Sequence, residues 1–223
     1  MSLRRRSNVV LVLSVCFIGA GCATRVTPPA RVRQPVRVFI ADYGPHAGLI
    51  LPDGDQGLVE FAFGEWDWFA LNHDHWYNAI PLIFFPGQGT LGTRRLQRTS
   101  DLHELTALLG GVEVQPIVVE QLSAQRLLEQ LRSEYETGKS KELFNPQVGL
   151  WFVPVGTRYR STHNCNHAVA GWLEALGCRV RGPRGMADFR IEPAVGGQVP
   201  RARASRRPDK GWDGLTAAKS DRP

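Results

Sequence analysis

The sequence predicts an α+β domain in which an antiparallel sheet packs against helices. Three short runs rich in branched and aromatic residues are separated by turn signals, a pattern typical of an antiparallel meander. These runs are residues 36–41, 46–51 and 58–63. Further strands are expected over residues 112–120 and 149–155.

Two later segments have the apolar spacing of helices. The first is expected to run from Ser123, as its N-cap, to Tyr135. The second begins at Cys165, and its apolar residues recur at the spacing of one helix face. Asn164 is of a type that caps a helix N-terminus, as are Thr162 and Ser161. Gly177 is expected to end this helix, because glycine readily adopts the left-handed conformation.

Cys165 is the residue around which the candidate chemistry is organised. A thiol at the positive end of a helix has a lowered pKa, and the N–H groups there can stabilise a developing oxyanion. The alternative interpretation is a small buried hydrophobe, since free cysteines are usually buried. Cys178 lies at the opposite end of the same helix, too far away to form a disulfide with Cys165. A catalytic interpretation therefore needs a base from another part of the chain.

Two strands offer that base and a group to orient it. His46 and Gly48 share one face of the second predicted strand, and Glu60 and Ala62 share one face of the third. If these faces coincide, the small residues leave room for a helix, with the imidazole and the carboxylate both facing it. A thiol hydrolase needs a nucleophile at a helix start, a histidine and a polar group that orients the histidine. Cys165, His46 and Glu60 fit these roles.

The order of these residues resembles the circularly permuted papain-like group. That group includes lecithin retinol acyltransferase-like proteins and relatives of the NlpC-type cell-wall endopeptidases. The resemblance is carried by His46-Ala47-Gly48-Leu49, by Leu58-Val59-Glu60-Phe61 and by Asn164-Cys165-Asn166-His167. A bacterial lipoprotein family of this group has similar blocks, matched here by residues 46–52 and 60–64.

The resemblance covers residues 37–178 and implies a permuted papain-like, or NlpC-like, fold. It also implies that Cys165 is the nucleophile and that His46 is its base. Glu60 takes the third position, where relatives often carry His, Asn or Gln, and a carboxylate can still orient an imidazole.

Residues 1–21 predict a lipoprotein signal peptide. Arg4-Arg5-Arg6 precede an apolar run, residues 9–18, that is too short to span a membrane comfortably. Gly19-Ala20-Gly21-Cys22 resembles the bacterial lipobox, which implies cleavage before Cys22 and an anchor of several acyl chains on that residue. An ordinary secretory signal or an uncleaved anchor is the alternative. Ala23 is not the aspartate of inner-membrane retention, so the expected location is the outer membrane of a Gram-negative cell.

The remaining chain is divided by composition. Residues 22–35 predict a Pro-rich tether, residues 36–190 the folded domain, and residues 191–223 a disordered basic tail. The formal net charge is +6, but the leader and the tail carry most of the excess. A nearly neutral domain argues against a nucleic-acid partner.

The remaining expectations concern cofactors and assembly. The pair His73 and His75 lacks the cysteines or carboxylates of a metal site, and no metal or other cofactor is expected. The chain is expected to be a monomer that meets the membrane through lipidated Cys22.

Three functions remain open for such an envelope lipoprotein. The first is a thiol hydrolase that cleaves amide or peptide bonds through a thioester, with peptidoglycan as a candidate substrate. The second applies the same chemistry to a lipid or another acyl ester, which the aromatic segment 65–85 would suit as a groove. That segment equally fits a short helix and a loop packed over one end of the sheet. The third is a non-catalytic binding or scaffold protein with an unreactive Cys165.

Overall fold

The computed structural model describes residues 23–73 and 85–194. In these residues the protein has an α+β fold with a seven-stranded antiparallel sheet and three helices, which confirms the predicted class. The helices are α1 (Leu102–Leu108), α2 (Gln121–Thr137) and α3 (Cys165–Ala175). None of the described helices is long and apolar enough to cross a membrane.

The strands of the large sheet include the predicted meander. In chain order they are β2 (Pro35–Asp42), β3 (Ala47–Pro52), β4 (Leu58–Glu65), β5 (Gly87–Leu96), β6 (Glu113–Glu120), β7 (Leu143–Asn145) and β8 (Leu150–Tyr159). Their order across the sheet is β6-β2-β3-β4-β5-β8-β7, and each neighbouring pair is antiparallel. Strand β5 was not predicted.

The two faces of the large sheet carry different helices. Leu49 of β3 and Phe61 of β4 belong to one core with Leu131 of α2 and Leu173 of α3. Ile50 of β3 lies in a separate core with Leu105 of α1. Because successive residues of a strand point to opposite faces, α2 and α3 cover one face and α1 covers the other.

The expectation that residues 22–35 form a tether was wrong for its first part. Thr24–Thr27 forms strand β1, which pairs in antiparallel fashion with β9 (Arg179–Arg181) and in parallel with β10 (Phe189–Ile191). Val26 is fully buried in the main core, so this segment is held by apolar packing as well as by backbone pairing.

Helix α2 starts earlier than predicted. Its N-cap is Glu120 rather than Ser123, which lies within the first turn of the helix. The Glu120 carboxylate instead accepts backbone hydrogen bonds from Arg33 and Gln34, at 2.8 and 3.1 Å. A π-helical turn, Trp66–Ala70, follows β4. The predicted signal peptide, residues 74–84 and the last part of the predicted tail lie outside the described residues.

Candidate functional site

The start of α3 has the predicted cap. The Asn164 side chain accepts hydrogen bonds from the backbone N–H groups of Asn166 and His167, at 3.1 Å each. Cys165 is therefore the first residue of the helix, and only 2% of it is exposed. Gly177, with φ of +86°, follows the end of the helix, as predicted.

The structure brings His46 and Cys165 together across 119 positions of the sequence. His46 Nδ1 lies 3.1 Å from Cys165 Sγ. His46 closes a tight turn between β2 and β3, in which the Tyr43 N–H donates to the His46 carbonyl oxygen at 2.8 Å. The imidazole also packs against the Phe69 ring in an edge-to-face arrangement, with ring centroids 4.5 Å apart. The imidazole is thus fixed by its own turn and by an aromatic contact.

Asn166 connects the helix start to the histidine turn. Its side-chain amide donates to the carbonyl oxygens of Pro45 and Gly185, at 3.3 Å each. Asn166 is 1% exposed, and its Oδ1 atom has no hydrogen-bond partner among the described residues. The sequence indicated Asn166 only as part of the cysteine motif. Its role as a link between α3 and the residue before His46 depends on the tertiary fold.

Hydrogen-bond donors surround the sulfur atom. The backbone N–H groups of Asn166, Ala47 and Cys165 and the Tyr159 hydroxyl all lower the pKa of the Cys165 thiol, but burial is stronger and raises it to about 11. The N–H groups at the helix start therefore lower the thiol pKa, as predicted. The expectation that the net pKa is lowered was nevertheless wrong. The reason is that the thiol is almost completely removed from water, which disfavours its charged form.

Burial acts on His46 in the opposite direction. It lowers the pKa of the imidazole to about 4. Between these two values both groups are neutral, and in the tautomer that carries its hydrogen on Nε2 the Nδ1 atom can accept the thiol proton. The resting site is a neutral thiol–imidazole pair rather than an ion pair.

This environment of His46 predicts a loss of stability in acid. Unfolded His46 takes up a proton below its ordinary pKa of 6.5, whereas folded His46 stays neutral down to about 4. The stabilisation is therefore complete above pH 6.5 and is lost as the pH falls to about 4, at up to about 1.4 kcal/mol per pH unit. Urea unfolding of the wild type and of His46→Asn across this window measures it. Equal slopes of the unfolding free energy against pH for the two proteins would contradict the prediction.

Glu60 does not lie beside the thiol. Its carboxylate accepts hydrogen bonds from the Tyr43 hydroxyl at 2.5 Å and from Arg94 Nε at 2.6 Å. Glu60 pairs with Ile50, whose side chain belongs to the core under α1. The expectation that the imidazole and the carboxylate face one helix was wrong, because Glu60 lies on the face that α1 covers, whereas α3, which carries the thiol, covers the opposite face.

Gly48 is small for a different reason. A Cβ atom on Gly48 would lie 2.4 Å from Glu60 Oε1, so the missing side chain makes room for the carboxylate. The Arg94 guanidinium also donates to the Tyr43 hydroxyl, which completes a triangle of three side chains around the fully buried Glu60 carboxylate. Burial raises the pKa of Tyr43, and the neighbouring Glu60 charge raises it further, so the phenol keeps its proton. Tyr43 in turn starts the turn that carries His46.

Tyr159 is a site residue that the sequence did not single out. Strand β8 extends past the predicted end to Tyr159, whose hydroxyl hydrogen-bonds the Cys165 sulfur. Phe63 stacks on the Tyr159 ring and makes an edge-to-face contact with His163. Burial raises the pKa of Tyr159, so the hydroxyl remains a donor. The other nearby histidine, His167, contacts the capping Asn164 through Nδ1 at 2.8 Å.

The described residues contain no group of three or more His, Cys, Asp or Glu that could hold a metal ion. Cys165 and Cys178 are both free and buried. No family model matches the sequence, and no curated protein and no solved structure matches it significantly.

Proposed function

We propose that the protein is a cell-envelope lipoprotein with a thiol hydrolase or acyltransferase site. Cys165 is the nucleophile, His46 is its general base, and the reaction cleaves an amide or peptide bond of an envelope substrate through a thioester. The observation that carries the proposal is the 3.1 Å approach of His46 Nδ1 to a cysteine at a helix N-terminus. Such nucleophile–base contact is the recurring sign of covalent catalysis.

The neutral pair suggests a concerted first step. As Sγ attacks the substrate carbonyl carbon, the thiol proton moves to His46 Nδ1, so that no buried charge forms before substrate is bound. The C–N bond then breaks, and His46 gives this proton to the leaving amine. Water attacks the thioester, His46 accepts a proton from the water, and the C–S bond breaks. Return of that proton to the sulfur restores the thiol.

The donors around the sulfur support a site for the developing oxyanion. Asn164 already accepts the Asn166 N–H, so the N–H groups of Cys165 and Ala47 are the better candidates for this role. The Tyr159 hydroxyl is a further donor at the sulfur. These groups belong to α3, β3 and β8, so the fold fixes them before substrate arrives.

Glu60 is proposed to position His46 indirectly. It holds Tyr43, and the Tyr43 backbone holds the turn that ends at His46. This keeps the orienting task that the family resemblance implies for Glu60, with Tyr43 as the intermediary. The antiparallel sheet and the cysteine helix are also consistent with the permuted papain-like architecture, which stays part of the proposal together with lipidation of Cys22 and an outer-membrane location.

Acylation of the thiol by a generic acyl donor tests the proposed chemistry without knowledge of the substrate. With p-nitrophenyl acetate, we expect a burst of nitrophenolate and an acetyl group on Cys165, located by peptide mass spectrometry. Cys178 is a matched control, because it is a free, buried cysteine near the other end of the same helix, and its burial also raises its pKa to about 11.

Variants of the two cysteines distinguish a thiol hydrolase from a non-catalytic scaffold. Cys165→Ala should abolish the burst, while Cys178→Ser should retain it. Equal labelling of both cysteines, or none at Cys165, would contradict the hydrolase proposal and favour a scaffold. Mass spectrometry of peptidoglycan peptides incubated with the wild type then tests the substrate, and turnover of acyl esters alone would assign the site to the ester class instead.

A further inference from the structure

The small sheet presents a row of arginines to solvent. Arg25 of β1 lies directly opposite Arg190 of β10 and Arg181 of β9, so the three side chains share one face. Arg179 of β9 pairs with Thr27, two residues from Arg25, and therefore lies on this face as well. All four arginines are exposed. We name these four residues the arginine face.

The reverse side of the small sheet is already occupied. Val26, Val180 and Phe189 are buried in the main core together with Leu173 and Leu176 of α3. Burial of this reverse side keeps the arginine face toward solvent.

The charges of the arginine face are only partly balanced. Glu192 lies 3.5 Å from Arg25, and Asp188 lies 3.3 Å from Arg190. Arg179 and Arg181 have no ion-pair partner among residues 23–73 and 85–194. Like charges directly opposite each other on neighbouring strands are destabilising. An anionic surface that meets this face would remove that cost.

The position of β1 in the chain indicates which anionic surface this is. Strand β1 begins at Thr24, two residues after Cys22. Even a fully extended backbone from Cys22 to Arg25 spans at most about 11 Å. This upper limit is only slightly longer than the Debye length of about 8 Å at physiological ionic strength, and screening is only partial across any shorter, less extended path. If Cys22 carries acyl chains, its neighbouring strand lies at the lipid headgroups.

We infer that the arginine face binds the anionic headgroups of the bilayer in which Cys22 is anchored. The inference rests on the proposed lipidation only for its geometry, because the charge pattern itself is independent of any acyl chain. Contact at this face would place the domain directly on the bilayer, with one defined side toward the lipid. A flexible tether would leave that orientation free.

Vesicle binding by the mature chain tests this inference. The protein begins at residue 22 with Cys22→Ser, so it contains all described residues and no acyl chain. We expect it to sediment with phosphatidylcholine vesicles that contain phosphatidylglycerol, and not with phosphatidylcholine alone. Each arginine near an anionic surface raises the membrane partition coefficient about fivefold. The double variant Arg179→Gln with Arg181→Gln should therefore lower that coefficient about 25-fold.

The control is Arg98→Gln with Arg126→Gln, which removes the same charge from exposed arginines elsewhere. This control should bind within about twofold of the wild type, since distant charges are screened. No binding by the parent protein would overturn the inference. An equal effect of the two double variants, or none from either, would also overturn it by assigning binding to overall charge or to the basic tail. Palmitate labelling of the wild-type chain in cells tests lipidation separately. A failure of lipidation can therefore be distinguished from a failure of headgroup binding.

Discussion

Replacing Arg94 by methionine is expected to lower the free energy of unfolding by about 3–5 kcal/mol, because it leaves the Glu60 carboxylate buried without its cation. Glu60 is fully buried, and 18% of the Arg94 side chain is exposed. Burial alone would lower the pKa of Arg94, but the charge of Glu60 raises it overall. The guanidinium therefore keeps its charge, and breaking this buried ion pair costs more than breaking an exposed salt bridge would. Urea unfolding at neutral pH measures the loss.

Two further variants make this prediction specific. Arg95→Met removes the neighbouring arginine, which is exposed, and should change the stability by less than about 0.5 kcal/mol. Glu60→Leu combined with Arg94→Met removes both charges and should be clearly more stable than Arg94→Met alone. If the double variant were as unstable as the single one, lost packing rather than an unpaired carboxylate would explain the effect.

The same triangle should also affect the proposed chemistry. Tyr43 is hydrogen-bonded through its hydroxyl to Glu60 and through its backbone to the turn of His46. Loss of Arg94 therefore loosens the support of the imidazole without touching the thiol. In the proposed mechanism, Glu60 and Arg94 are therefore positioning residues, and their loss is expected to lower the rate through the geometry of His46.

Local pattern was sufficient for most elements near the site. Branched residues and turn signals predicted β2, β3 and β4, and the apolar spacing after Asn164 predicted α3. Strand β5 was not predicted, because the glycines in this segment are typical of turns. In the fold, however, a Cβ atom on Gly92 would lie 2.5 Å from the Phe152 ring, so this glycine serves close packing between strands. Such a requirement is visible only when the neighbouring strand is known.

The sequence was sufficient to predict that His46 and Cys165 lie together, but not to predict the position of Glu60 or the thiol pKa. The motifs indicated His46 and Cys165, and the fold brings them within 3.1 Å. Alternation could place Glu60 on a strand face, but it could not say which face α3 would cover. The thiol pKa likewise depends on burial by residues distant in sequence, which outweighs the local effect of the helix start.

Replacing His46 by alanine is expected to slow acylation of Cys165 by about 10²–10⁴-fold at neutral pH. With the thiol pKa raised to about 11, few molecules hold a thiolate at neutral pH, so attack depends on proton transfer to Nδ1. His103→Ala, which removes an exposed histidine of α1 on the other side of the sheet, should react at the wild-type rate. The burst rate with p-nitrophenyl acetate measures both.

The pH dependence of acylation distinguishes general-base catalysis by His46 from a merely structural contribution of this residue. In the wild type the neutral pair exists from above about pH 4, so the rate should be nearly constant from mildly acidic to mildly alkaline pH. In His46→Ala only the thiolate reacts, and the rate should rise about tenfold per pH unit toward the thiol pKa near 11. A wild-type rate that rose with this same slope would show that the proton does not pass to His46. The approach of Nδ1 to the sulfur would then serve packing alone, and the scaffold interpretation would be preferred.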